Sequence, residues 1–171
     1  MRVTVQSLKP RSLKSDDGHS VAIPSAAQLQ LMDVGLATFM HFSVDTFSSV
    51  TAPIEHNCAD GHGNPPQCMP ASAFNPTHLD TDQWVRAAVQ MGAGEICLTA
   101  HHEGGFCLWD TKFSNYSSMH SPFGKDVVAM FIASCRKFNV RPCFYFGPNS
   151  NGWLTNNRSY SPSQFIDAQL G

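Results

Sequence analysis

A parallel α/β fold is what this sequence predicts, on three observations. Apolar strand-like runs alternate with amphipathic stretches in the order strand, helix, strand, helix, strand, helix, the pattern of parallel β/α units joined by right-handed crossovers. The strand-like runs, Gly35–Val44, Glu95–Ala100 and Val140–Gly147, are rich in apolar and β-favouring residues, as strands covered on both faces are. Polar residues collect just after each run, at the face where barrel enzymes keep their sites. That last observation favours a closed (β/α)8 barrel over an open sheet. A full barrel takes about 250 residues, so the 171 here account for roughly its first three β/α units.

The elements follow in order. Residues 1–23 read as a polar lead-in and residues 24–171 as the domain proper, opening with Ser25 as the cap of a short helix, Ala26–Met32. The first strand, Gly35–Val44, places His41 near its C-terminal end. A long loop runs to Leu79, after which Asp80 or Thr81 caps a helix whose Trp84, Ala87, Ala88 and Met91 share one face. The second strand, Glu95–Ala100, delivers the chain to His101, His102 and Glu103, and a loop from Gly104 to Gly124 follows. Lys125–Phe138 has helical spacing, with Arg136 and Lys137 in the last turn where they suit the helix dipole, and Asn139 closes it. The third strand, Val140–Gly147, contains Pro142, which cannot donate to a sheet ladder. A further loop reaches Ser161 and Pro162, which announce a helix still amphipathic at Gly171, so the sequence reads as truncated.

Composition narrows the function. Hydrophobic residues make up 42% and charged ones 14%, which suits a globular core, and the formal net charge of −2 with scattered Lys and Arg offers no patch for a nucleic acid or an anionic membrane. No apolar run approaches the roughly 18 residues of a spanning helix, and Met1–Gly18 has no continuous apolar stretch of the secretory-signal kind. Cys97, Cys107, Cys135 and Cys143 lie in or beside apolar segments and read as small buried hydrophobes. Cys58 and Cys68 lie in a polar Gly/Pro-rich loop, Asn57–Pro70, and are a disulfide candidate that would imply export. Asn115-Tyr116-Ser117 and Asn157-Arg158-Ser159 have the form of glycan acceptors.

A parallel array would bring His41, His101, His102 and Tyr145 around one mouth. A zinc site formed from the histidines and Glu103 is disfavoured, because adjacent strand residues point to opposite faces and no HExxH or Cys/His pattern is present. A Cys nucleophile lacks an electropositive helix start, and Gly104-Gly105 lacks a phosphate-binding motif around it. Imidazole, phenol and indole groups at one mouth suit a sugar: they bond hydroxyls and cover the apolar face of a pyranose ring. The residues alone do not name the sugar.

Several segments in order resemble the N-terminal region of glycoside hydrolase family 29 α-L-fucosidases: Pro24-Ser25 with Gln28-Leu29, Phe39-Met40-His41-Phe42 with Thr46-Phe47, and Phe74-Asn75-Pro76 with Leu79-Asp80 and Asp82-Gln83-Trp84. The longest runs from Leu98 to Trp109, and the likeness continues through Ser121-Pro122, Asp126-Val127-Val128 and Tyr145. This resemblance implies a (β/α)8 TIM barrel that hydrolyses terminal α-L-fucosides of glycans by double displacement, with an Asp nucleophile, a carboxylic acid/base and no metal or cofactor. It implies that His41, His102 and Tyr145 bind fucose hydroxyls, and that Trp109, in the neighbouring loop, is among the substrate-binding residues. The usual motif is Lys-His-His-Asp-Gly-Phe; here Glu103 takes the place of the second His and resembles a eukaryotic-type variant that bonds the sugar or orients His102. The Trp-Gly usual after the first strand is missing, and the Cys58–Cys68 insertion occupies that region.

The nucleophile is expected at the end of the fourth strand, beyond Gly171, so no catalytic residue is assigned here; Asp110, Asp126 and Asp167 do not fill that place. The segment by itself is expected to be inactive and to fold poorly, with two open sheet edges. The family resemblance implies a secreted or lysosomal/vacuolar protein. The competing expectations are a non-catalytic fucose-binding relic and a barrel glycosidase acting on another sugar, such as a galactoside.

Overall fold

In the computed structural model the structure describes residues 11–47, 68–148, 151–157, 163, 164 and 166. Its centre is a three-stranded parallel sheet in the order β3 (Leu36–Met40), β4 (Ala93–His101), β5 (Arg141–Phe146). Connecting them are two crossover helices, α2 (Thr81–Gln90) and α3 (Val127–Lys137). The consecutive parallel strands of the expected β/α repeat are therefore present, and Pro142 is accommodated because β5 is an edge of the described sheet.

Why these residues form these elements is visible at their ends. Asp80 accepts from the Gln83 amide at 3.1 Å and Asp126 from Ala129 at 2.7 Å, so each crossover helix starts on a carboxylate that satisfies an otherwise orphaned donor. The second helix thus begins at Val127, two residues later than the spacing predicts, because Asp126 is spent as its cap. Asn139 closes it with a φ of 50°. Ile96 and Leu98 of β4 face Val85 and Ala88 of α2 and Val127, Phe131 and Cys135 of α3, in one buried core. The helices are tied together by Thr81 Oγ1 to Ser134 Oγ at 2.8 Å and by Ser134 Oγ donating to Asp82 at 2.7 Å.

Outside the sheet, α1 (Ala26–Met32) starts on a capping box in which Gln28 N donates to Ser25 Oγ and Ser25 N to Gln28 Oε1. The lead-in holds an element the sequence analysis does not anticipate, an antiparallel hairpin of β1 (Arg11–Lys14) and β2 (Ser20–Ile23). Its local signal is Asp17-Gly18, where Gly18 takes a φ of 84° in the turn. The loop after β5 likewise contains a helix, α4 (Gly152–Asn157). Residues 163, 164 and 166 are helical, in agreement with the helix announced at Pro162, which itself lies outside the described residues.

The first strand is shorter than its apolar run. The chain leaves β3 at His41 because Phe42 N donates to Thr99 Oγ1 at 3.1 Å, and Val44–Phe47 then coils into a 3-10 turn. Phe42, Phe47, Phe106 and Phe123 surround the buried Phe74 ring at 5.0–5.8 Å. This cluster anchors the segment carrying His41 to the loop after β4. Truncating Phe74 to Ala is expected to cost about 3–5 kcal/mol of stability, read as a lowered urea midpoint; a loss under about 1 kcal/mol would show that the cluster does not bear the packing.

Candidate functional site

His41 stands one residue past β3, His102 one past β4, and Tyr145 next to the end of β5. Parallel pairing places these ends side by side. The His41 and His102 rings lie 5.8 Å apart, the His102 and Tyr145 rings 5.4 Å apart. His41 is exposed and the other two half-buried, so the cluster borders solvent, although the Nδ1 atom of His102 is itself buried. A methyl group built on Gly147 would lie 3.4 Å from Tyr145 Oη and 3.6 Å from the Glu103 amide nitrogen, which sets Tyr145 and the Glu103 backbone on the same floor.

Phe39 joins this group although the sequence analysis does not single it out. Its ring is 4.7 Å from His41 and 5.9 Å from Tyr145 and is half exposed. The available signal was period two: on a strand, Phe39 and His41 share a face. An exposed aromatic beside two imidazoles and a phenol makes a mouth both apolar and hydrogen-bonding, the chemistry a sugar ring needs.

The two adjacent histidines separate. His101 is buried and stacks on Phe146 at 4.7 Å with the planes 21° apart, and Trp109 packs against both at 6.3 and 6.2 Å. Tyr145 and Phe146 alternate across β5, so His101, paired and stacked with Phe146, lies with Trp109 in a layer on the side away from Tyr145. The structure therefore places Trp109 behind the strand end, with His101, whereas His41, His102 and Tyr145 come together. Glu103 is half-buried, and its carbonyl accepts from Gly152 N at 2.9 Å. Asp126 is engaged as the α3 cap and also accepts from Asp110 N at 3.3 Å; Asp167 lies outside the described residues.

Electrostatics follow burial. Cys97 is pushed to about 12 by desolvation and then by the thiol of Cys143, its register partner on β5, and Cys135 to about 11 by desolvation. Cys107 is raised likewise, so the buried thiols are held as neutral, poor nucleophiles. Cys68 is disulfide-bonded, while its expected partner Cys58 lies outside the described residues. Asn115 is exposed, and the second glycan-type motif extends outside the described residues at Arg158 and Ser159. An open groove lined by Gln30, Asp33, Gly94 and Arg141 lies at the other end of the strands and shares no residue with the cluster.

Burial lowers the His101 pKa from 6.5 to about 4, with a hydrogen bond to the Gly147 backbone opposing the shift and the neighbouring His102 adding slightly to it. A depressed His pKa means the unfolded chain binds the proton first. Stability from this group is therefore complete above pH 6.5 and is lost as pH falls through 4, amounting to about 3 kcal/mol. Urea midpoints compared at pH 7 and pH 4 should show that loss in the parent and a smaller one in His101→Gln; equal losses would contradict it.

The sequence model of the α-L-fucosidase family matches residues 61–165. A relative from Arabidopsis thaliana named α-L-fucosidase 1 is 34% identical over 129 residues, 74% of this chain and 23% of its own length. The chain thus spans under a quarter of that relative. Among solved structures, a glycoside hydrolase 29 family member from an unknown rumen bacterium is 30% identical with a TM-score of 0.62, covering 75% of this chain and 22% of its own. A Bacteroides thetaiotaomicron structure covers 95% of this chain and 31% of its own, with 28% identity and a TM-score of 0.71.

Proposed function

Because the chain belongs to the α-L-fucosidase family, we propose that the whole protein of which these residues are part hydrolyses terminal α-L-fucosides of glycans with retention at the anomeric carbon. The observation that carries this reading is the meeting of His41, His102 and Tyr145 at three adjacent parallel strand ends. The scaffold in this proposal is a (β/α)8 barrel, whose first three strands are β3, β4 and β5. In their roles here, His41, His102 and Tyr145 bond the fucose hydroxyls, Glu103 bonds the sugar or orients His102, and Trp109 supports the strand end from behind. Phe39 offers an apolar surface to the methyl carbon that distinguishes a 6-deoxy sugar from a hexose.

Retention requires two carboxyl groups about 5 Å apart across the scissile bond, one a nucleophile and one an acid/base. The Asp nucleophile in this proposal comes from a strand following β5, so the residues described here bind and orient the sugar while the bond-breaking carboxylates come from elsewhere in the whole protein.

The whole protein, given an aryl α-L-fucoside, should release α-L-fucose as the first anomer seen by proton NMR, before mutarotation. Release of the β anomer, or preference for an aryl galactoside, would refute the assignment; fucose binding without turnover would select a non-catalytic fucose-binding protein instead. His102→Ala and Tyr145→Phe should each lower kcat/KM by roughly ten- to a hundredfold, the worth of one or two hydrogen bonds to a buried hydroxyl.

Export to a secretory or lysosomal/vacuolar compartment is part of the same reading, supported by the bonded state of Cys68. Peptide mapping without reduction should recover Cys58 joined to Cys68; Cys68 joined to any other cysteine would overturn that pairing.

A further inference from the structure

Behind the strand end that carries His102 lies a buried polar contact with no part in the sugar cluster. Asn151 is 2% exposed and immediately precedes α4. Its Oδ1 accepts from Leu154 N at 3.0 Å, three residues on, which is the geometry of a helix cap. That bond identifies the amide's oxygen, so the other atom, Nδ2, is a donor. Nδ2 lies 3.2 Å from Nε2 of His101, itself 1% exposed, and the ring nitrogen must accept. His101 is thereby fixed as the neutral tautomer with its proton on Nδ1.

Backbone contacts reinforce the same junction. Gly152 N donates to Glu103 O at 2.9 Å, Trp153 N to Gly104 O at 3.2 Å, and Gly147 N to His101 O at 3.0 Å. Gly105, at a φ of 92°, lies so close to the Asn151 amide that a Cβ there would collide with Oδ1. Residues 101–105 are thus bracketed from behind by residues 151–153, and His102 and Glu103 sit inside the bracket. Two glycines in five residues would otherwise leave this segment free to move.

We infer that His101 and Asn151 are positioning residues for the fucose site: their buried hydrogen bond locks the end of β4 onto the start of α4 and so aims His102 and Glu103 at the sugar. Neither touches the substrate. The inference rests on the fucoside reading for its substrate, but its geometric content stands apart from it.

The experiment uses the whole protein and three variants. Asn151→Asp keeps the helix cap, since Asp caps as well as Asn, but replaces the donor facing His101 by an acceptor. His101→Gln retains an acceptor in Oε1, and His101→Phe keeps a stackable ring without one. With an aryl α-L-fucoside, Asn151→Asp and His101→Phe should raise KM about tenfold and change kcat by less than about threefold, whereas His101→Gln should stay within about threefold of the parent in both. In 15N spectra of the imidazoles, His101 should read Nδ1–H in the parent and gain a proton on Nε2 in Asn151→Asp, and the His102 signals should shift with it.

Parent KM in both Asn151→Asp and His101→Phe, or unmoved His102 signals, would overturn the positioning role. An equal loss in His101→Gln would overturn it too, because a role in bulk packing alone is not rescued by an acceptor. If the parent itself turns over no fucoside, the earlier reading fails, and the imidazole spectra still decide whether the latch exists.

Discussion

The site depends on one skipped residue in the pairing of β4 with β5. Thr99 pairs with Tyr145, but the next paired residue is His101, opposite Phe146, so Ala100 has no partner in the ladder. In regular alternation His101 would share a face with Thr99 and Tyr145, and His102 would point away. The extra residue inverts that phase. His102 then meets Tyr145, and His101 turns to Phe146 and Trp109. A strand carrying two histidines in succession can offer either to its mouth; this irregularity makes the choice.

The choice has an electrostatic consequence. The imidazole turned inward is desolvated and kept neutral, with stacking on one side and an amide donor on its ring nitrogen. Neutrality suits it to a purely architectural task, because a charged ring there would lose its acceptor and carry an unscreened charge into the apolar layer of Trp109, Phe146 and Leu154. His102 keeps access to solvent and to the neighbouring rings. Two chemically identical side chains one position apart thus separate into a buried ring and a half-buried one at the mouth, to which the proposal gives the sugar.

Much of this was legible in the residues, and the exceptions share a cause. Ser25, Asp80 and Asn139 mark helix ends by local chemistry, since each satisfies or releases a backbone group within its own turn. The strand ends carrying His41, His102 and Tyr145 could be read because apolar runs stop where polar chemistry starts. The phase of His101 could not, because a skipped pair is a relation between two strands and leaves no mark within one. Trp109 sits in a recognisable motif, yet its side follows from where Phe146 and His101 already stand. Helix α4 was hidden because its cap, Asn151, lies in a run of Asn, Ser and Gly that reads as loop, and only its partner on β4 distinguishes it from its neighbours. The Asp17-Gly18 hairpin is different: its signal was local and available.

The outer edges of the described sheet extend the argument from the site to the fold that must hold it. β3 and β5 each have one unpaired side among the described residues, and Leu36, Phe39 and Phe144 remain half exposed. Open parallel edges and exposed aromatic rings are costly in water, and the strands following β5 in the proposed barrel would cover them. Phe39 is the exception, since its exposure faces the mouth beside His41. Covering the edges and completing the site are then one structural requirement. In the proposed barrel, the strand pairing with β5 would approach the same mouth from its open side, where the proposed nucleophile would face the sugar that the proposal assigns to His41, His102 and Tyr145. Packing at the edge and geometry across the sugar therefore call for carboxylate-bearing strands in the same place.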